Sequence, residues 1–140
     1  MIKVLIDLHI HTKLCNHAIG EMSEYVESAI NKDFSEIGFS DHFPMFYLPK
    51  NIDISAYCMK IEEMQIYMDQ IKRLKEKYND EIRIKTGIEV DYIIGKDEVI
   101  KKSLKKYDFD YILGSVHVID DWCIDDTENL DKYSKYKIID

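Results

Sequence analysis

Four short segments rich in apolar and β-branched residues, 2–10, 34–40, 82–90 and 111–118, alternate along the chain with stretches of helical periodicity. That alternation is the strongest constraint on the fold. A strand that runs parallel to its predecessor needs a crossover, usually a helix, so the pattern predicts an α/β protein with helices packed outside a parallel sheet. The longest helix is expected from about Ser55 to Tyr78, where Tyr57, Ile61, Met64, Met68, Ile71, Leu74 and Tyr78 recur at steps of three and four. Asp53 or Ser55 would cap it. Shorter helices are expected over 23–30 and 97–106, and a loop over 43–51. The Met and Tyr stripe is read as core packing, and lysines 101, 102, 105 and 106 as a solvated helix face. After Val118 the pattern stops, leaving an acidic, polar stretch with no further strand–helix unit.

The chemistry sits at the strand ends. All five histidines, His9, His11, His17, His42 and His117, fall at or just beyond the strand-like segments. In Asp7-Leu8-His9-Ile10-His11, the strand period puts Asp7, His9 and His11 on one face and turns Leu8 and Ile10 toward the helices. Two imidazoles at alternate positions can chelate one cation. His17 follows in the first β-to-α loop, His42 ends the second strand, Glu89 the third and His117 the fourth. Each strand therefore delivers a potential ligand at its C-terminal end, the face that carries chemistry in parallel α/β barrels. Such groups left unpaired in a core would cost on the order of several kcal/mol each.

Charge and cysteine content narrow the class. The formal net charge of −8 disfavours a nucleic-acid-binding surface, although bound cations can reverse the field for a small phosphate ester. Three widely spaced cysteines, Cys15, Cys58 and Cys123, make a disulfide framework unexpected and a reducing cytoplasm the expected setting. The amino terminus lacks the apolar stretch of a signal peptide, and no apolar run reaches membrane-spanning length, so no membrane partner is expected.

The strings Asp-Leu-His-Ile-His-Thr, Cys-Asn-His-Ala, Gly-Phe-Ser-Asp-His, Gly-Ile-Glu-Val-Asp-Tyr and Gly-Ser-Val-His, in that order, resemble the first four motifs of the polymerase-and-histidinol-phosphatase (PHP) family. GFSDHFP, GIEVDYI and GSVHVID are similar to its monofunctional histidinol-phosphatase branch. The resemblance implies that residues 1–140 are the N-terminal part of a single PHP domain. They would supply about four βα units of a distorted seven-stranded (β/α) barrel, truncated before its last strands. It also implies a site for up to three divalent ions, Zn, Mn or Fe. By motif position His9, His11 and Glu89 would hold one ion. Glu89 would bridge to a second that also takes His117, and His17 and His42 would serve a third. The family completes these shells with a later His and an Asp-x-His pair, and no histidine follows His117 in this sequence.

The activity implied is hydrolysis of L-histidinol phosphate in histidine biosynthesis, through attack of a metal-bound hydroxide on phosphorus. Two alternatives stand beside it: a phosphoesterase of the same family acting on a nucleotide or phosphotyrosine, and a metal-binding fragment that catalyses nothing. Asp7, Asp41 and Asp91 are expected to accept hydrogen bonds from ligand imidazoles, with strand-end solvation the plainer account of Asp41 and Asp91. Cys15 is expected to be a loop residue without a ligand role, and Trp122 a packing or substrate-wall residue. Open edges on the first and fourth strands suggest that the 140-residue chain needs its C-terminal half or self-association, and alone turns over little substrate.

Overall fold

A computed structural model of the chain describes residues 4–48, 52, 57–120, 122–124 and 130–135. The expected alternation is present. Strands β1 (Leu5–Ile10), β2 (Phe34–Phe39) and β3 (Arg83–Thr86) pair in parallel in that order, and β4 (Glu89–Asp91) pairs in parallel with β5 (Leu113–Ser115). Helices α1 (Met22–Asn31), α2 (Met64–Lys77) and α3 (Asp97–Leu104) form the crossovers. The core lies where Ile37 and Phe39 of β2 and Ile84 of β3 meet Val26 and Ala29 of α1 and Met64, Tyr67 and Ile71 of α2.

The third strand is not continuous: 82–90 divides at Gly87-Ile88. Hydrogen bonding nevertheless runs across the break, from Gly87 N–H to the Phe39 carbonyl (2.8 Å), Glu89 N–H to that of Asp41 (2.9 Å) and Leu113 N–H to that of Ile88 (2.9 Å). The two sheets thus follow one parallel order. Tyr111 explains the local geometry. Its ring lies so close to Gly38 and Gly87 that a Cβ at either would collide with it. Its hydroxyl donates to the carbonyls of Leu8 (2.6 Å) and Phe39 (3.4 Å).

Strict alternation in β1 also fails. Asp7 pairs with Ile37 and Ile10 with Phe39, so β1 carries one extra residue between them, a bulge at Leu8-His9. Ile10 packs on the core as expected; Leu8 is only half-buried and is not part of it.

Helix α2 begins well after Ser55. Cys58 and Met59 are consecutive and both buried, an arrangement that suits an irregular segment better than one helix face. The helix is entered through a 3₁₀ turn at Ile61–Glu63, where Lys60 N–H donates to the Glu63 carboxylate (2.7 Å). Tyr57 and Ile61 are exposed, and the buried stripe is Met64, Tyr67, Ile71, Leu74 and Tyr78. The caps expected at Asp53 and Ser55 lie outside the described residues. Helix α1 starts at Met22 behind a capping box in which Glu21 N–H donates to Glu24 (2.6 Å).

Regular structure does not end at Val118. The chain turns at Asp120, with φ of 53°, to form an antiparallel hairpin of β6 (Val118–Ile119) and β7 (Trp122–Cys123), and α4 (Leu130–Lys135) follows. Trp122 is buried edge-on to Tyr133 with ring centroids 5.3 Å apart, which gives it the packing role. The acidic composition hid this unit because its apolar residues are few and its strands are two residues each.

Among the described residues β1 pairs only with β2, and β5 only with β4. Val4 and Ile6 beside the first edge, and Ile112 and Val116 beside the second, are about half exposed or more. No described helix is long and apolar enough to cross a membrane.

Candidate metal centre

Glu89, the first residue of β4, is almost fully buried and stands at the centre of the histidines. Its Oε2 lies 2.9 Å from His9 Nε2, 3.1 Å from His11 Nε2 and 3.5 Å from His42 Nδ1, and its Oε1 lies 3.8 Å from His117 Nε2. Burial works to raise the pKa of this carboxyl, but the hydrogen bonds of His11 and His9 and the field of His42 outweigh it and hold the group down to about 2. His17 completes the set, its ring centroid 4.8 Å from that of His11 and 5.4 Å from that of His42. The fold brings all six candidate ligands to one place. It can do so because parallel strands present their C-terminal ends side by side.

Other residues orient these side chains. His17 Nδ1 lies 2.9 Å from the Cys15 carbonyl, which turns Nε2 toward the cluster when Nδ1 carries the proton. Asp91 Oδ1 accepts from both the backbone N–H (2.8 Å) and Nδ1 (2.9 Å) of His117, which directs Nε2 toward Glu89. Burial opposes ionisation of Asp91, but the His42 imidazole, its Nδ1 3.7 Å from Oδ2, and the bonds from His117 prevail and lower its pKa. Asp91 is thus a hydrogen-bond acceptor beside a candidate ligand imidazole. Asp41 does not bond an imidazole: its two oxygens accept the backbone N–H and hydroxyl of Thr12, each at 2.5 Å, tying the end of β1 to the end of β2. Burial raises the Asp41 pKa, and the Thr12 bonds only moderate the rise. Asp7 also departs from expectation, because its Oδ1 accepts from the backbone N–H of His9 (3.0 Å), within the bulged stretch, rather than from a ring.

Sequence reasoning missed three supports. Thr12 is the partner of Asp41. Cys15 is fully buried, and its Sγ accepts the His42 backbone N–H at 3.1 Å. Tyr67 is fully buried on α2, and its hydroxyl accepts Asp41 N–H (3.4 Å) and donates to the Gly87 carbonyl (2.8 Å). Burial lifts the Tyr67 pKa well above the phenol range, so it acts as a neutral phenol. The step of three from Met64 was the one available signal for Tyr67 being inside.

The donor set fits divalent cations. Buried His11 Nδ1, His42 Nδ1 and Asp91 Oδ2 have no hydrogen-bond partner among the described residues. Ligand atoms converge within 4.8 Å of one another in three groups: His9, His11 and Glu89; His42, Asp91 and His117; and His11, Cys15 and His17. Imidazole with carboxylate is a mixed shell suited to borderline metals such as zinc. Beside the histidines a cavity of about 260 Å³ is lined by His17, His42, Met45, Tyr57, His117, Val118 and Cys123.

Comparison with known proteins agrees with this geometry. A Deinococcus radiodurans protein named as a probable histidinol-phosphatase is 33% identical over 131 residues, covering 94% of this chain and 49% of that protein. Bacillus subtilis histidinol-phosphatase is 35% identical over 105 residues, 72% of this chain and 38% of that one. A crystal structure of histidinol phosphate phosphatase from Lactococcus lactis, complexed with zinc, L-histidinol and phosphate, matches with a TM-score of 0.74 at 26% identity, covering 87% of this chain and 43% of that one. The chain therefore spans about half the length, or less, of the relatives it matches. Its parallel strands and crossover helices share the fold of those phosphatases, a (β/α) barrel. Since the PHP domain family matches residues 7–140, nearly the whole sequence, the chain belongs to the PHP family.

Proposed function

We propose that this chain carries the N-terminal part of a histidinol-phosphatase site, which hydrolyses L-histidinol phosphate to L-histidinol and phosphate. The observation that carries the reading is the Glu89 carboxylate, buried and ionised, with four imidazoles within 3.8 Å of it. His9, His11 and Glu89 would hold one ion, Glu89 and His117 a second, and His17 and His42 a third, drawn from zinc, manganese or iron. Bound divalent cations supply Lewis-acid polarisation and neutralise charge that develops on the phosphoryl oxygens. Asp91 keeps the His117 ring oriented, and Asp41 keeps the loop after His11 against β2. The cavity offers Met45, Tyr57 and Val118 as an apolar wall for the organic part of the ester, and its described lining holds no Lys or Arg, so phosphate charge would be balanced by the cations. The relative solved with zinc, L-histidinol and phosphate supports this choice of substrate.

The test is hydrolysis of L-histidinol phosphate by the full-length protein, measured beside nucleoside monophosphates and phosphotyrosine with metal content determined on the same sample. Preference for L-histidinol phosphate is expected. Equal or better turnover of a nucleotide or phosphotyrosine would move the chain to another phosphoesterase of the family.

A second reading is favoured by length: the matched stretches cover 49% and 38% of two relatives, and no histidine follows His117 in this sequence. On that reading the 140-residue chain alone binds metal with partial shells and turns over little. Robust metal-dependent phosphatase activity of the isolated chain would dismiss it.

A further inference from the structure

We infer that Tyr67 is a positioning residue for the metal centre, acting with Cys15 to set the spacing between the strand ends that carry His42 and Glu89. The inference rests on the reading of the histidine cluster as a metal site. Asp41 and His42 are successive residues just past the end of β2, where His42 still bridges Glu89 in parallel through Glu89 N–H to the Asp41 carbonyl (2.9 Å) and Phe43 N–H to the Glu89 carbonyl (2.7 Å). Their backbone N–H groups are both taken by side chains instead of a neighbouring strand: Asp41 N–H by the Tyr67 hydroxyl at 3.4 Å, and His42 N–H by Cys15 Sγ at 3.1 Å. The same Tyr67 hydroxyl donates to the Gly87 carbonyl at 2.8 Å, two residues before Glu89.

One phenol on α2 therefore touches the main chain beside one ligand and close to another. Meanwhile Cys15, in the 3₁₀ turn at Lys13–Cys15 between His11 and His17, holds the main chain of His42 itself. Both side chains are fully buried, and all three of these bonds are to backbone atoms, so they fix where the strand ends lie rather than which way a ring turns. Ligand distances in a metal site are set to within about 0.2 Å, so a small relaxation of either strand end would be felt as lost affinity. A tyrosine kept only for packing would need neither bond, since phenylalanine would fill the same space.

Tyr67→Phe in the full chain separates the two roles. Zinc is titrated against a competing chelator, and the absorption spectrum of the cobalt-substituted protein is recorded beside it. The expected result is a fall in zinc affinity of about 10- to 100-fold, with a native circular dichroism spectrum and a changed cobalt spectrum. Ile71→Val, one turn further along α2, is the control and should lower the melting temperature without moving affinity. A Tyr67→Phe protein that melts earlier but binds zinc as the unaltered protein does would overturn the inference.

Should Tyr67→Phe not fold, the Cys15 bond gives the same answer from the other side. Cys15→Ser, which retains an acceptor for His42 N–H, should stay within a few-fold of the unaltered affinity, while Cys15→Ala should lose about 10-fold or more. Equal affinity in all three would again overturn it. Absence of zinc binding by the unaltered protein would remove the proposed function together with this inference. Normal binding by the unaltered protein and its variants alike would remove the inference alone.

Discussion

Glu89 shows how much one side chain can organise. A buried carboxylate is stable only when donors or cations meet it, and here burial is outweighed by imidazoles from two other strand ends, His9 and His11 of the first and His42 of the second. Glu89→Gln keeps the shape and removes the charge. It should fold, and its metal affinity should fall by more than the roughly 10- to 100-fold that follows loss of an outer partner. Elemental analysis of the purified variant checks this, and metal retained at the unaltered level would exclude Glu89 from the ligand set. As candidates, His42, Glu89 and His117 were legible in the sequence because each closes an apolar segment, His9 and His11 because they alternate along a strand, and His17 because it follows them in the next loop. Asp91 was legible too, standing two residues past Glu89. Tyr67 and Cys15 were not, because each acts on a main-chain N–H more than 25 residues away and sequence periodicity carries no trace of such a bond.

At the scale of elements, the strands and crossovers were legible and their limits were not. The bulge in β1, the break between β3 and β4 and the late start of α2 all depart from the local period, and at the break side chains distant in sequence hold the main chain. Asp110 is one of those side chains. Its carboxylate accepts Thr86 N–H at the end of β3 and Lys75 Nζ of α2, both at 2.7 Å, while its own N–H donates to the Thr86 carbonyl. Partial burial pushes the Asp110 pKa up, but Lys75 and the Thr86 N–H push it further down, below its ordinary 3.8. A carboxyl whose pKa is depressed on folding adds stability above its unfolded pKa, and that stability is lost as pH falls through the folded value. Asp110→Asn should therefore lower stability at pH 7 by roughly 1 kcal/mol. The gap from the unaltered protein should close below the ordinary 3.8. Thermal melts across pH 2–7 measure both, and a gap of constant size would show that the charge is not what matters.

For the molecule as a whole, the alternation of strands and helices made a parallel sheet legible, because few other arrangements accommodate it. The hairpin and helix after Val118 were not, since their apolar content is too small to give a period. The outer edges of β1 and β5, with Val4, Ile6, Ile112 and Val116 beside them, are surfaces on which another polypeptide can pair. The 140-residue chain alone should self-associate as concentration rises, and Ile6→Lys should weaken that association. Sedimentation velocity over a concentration series tests it; a monomer at every concentration would count against it. Tyr111 spans this sheet from within, reaching the Leu8 carbonyl 103 residues away over two glycines that leave no room for a methyl group. Those three positions cannot drift independently over evolutionary time. In lineages where residue 111 stays a large aromatic, 38 and 87 should stay glycine, and any enlargement at either should be accompanied by a smaller residue at 111.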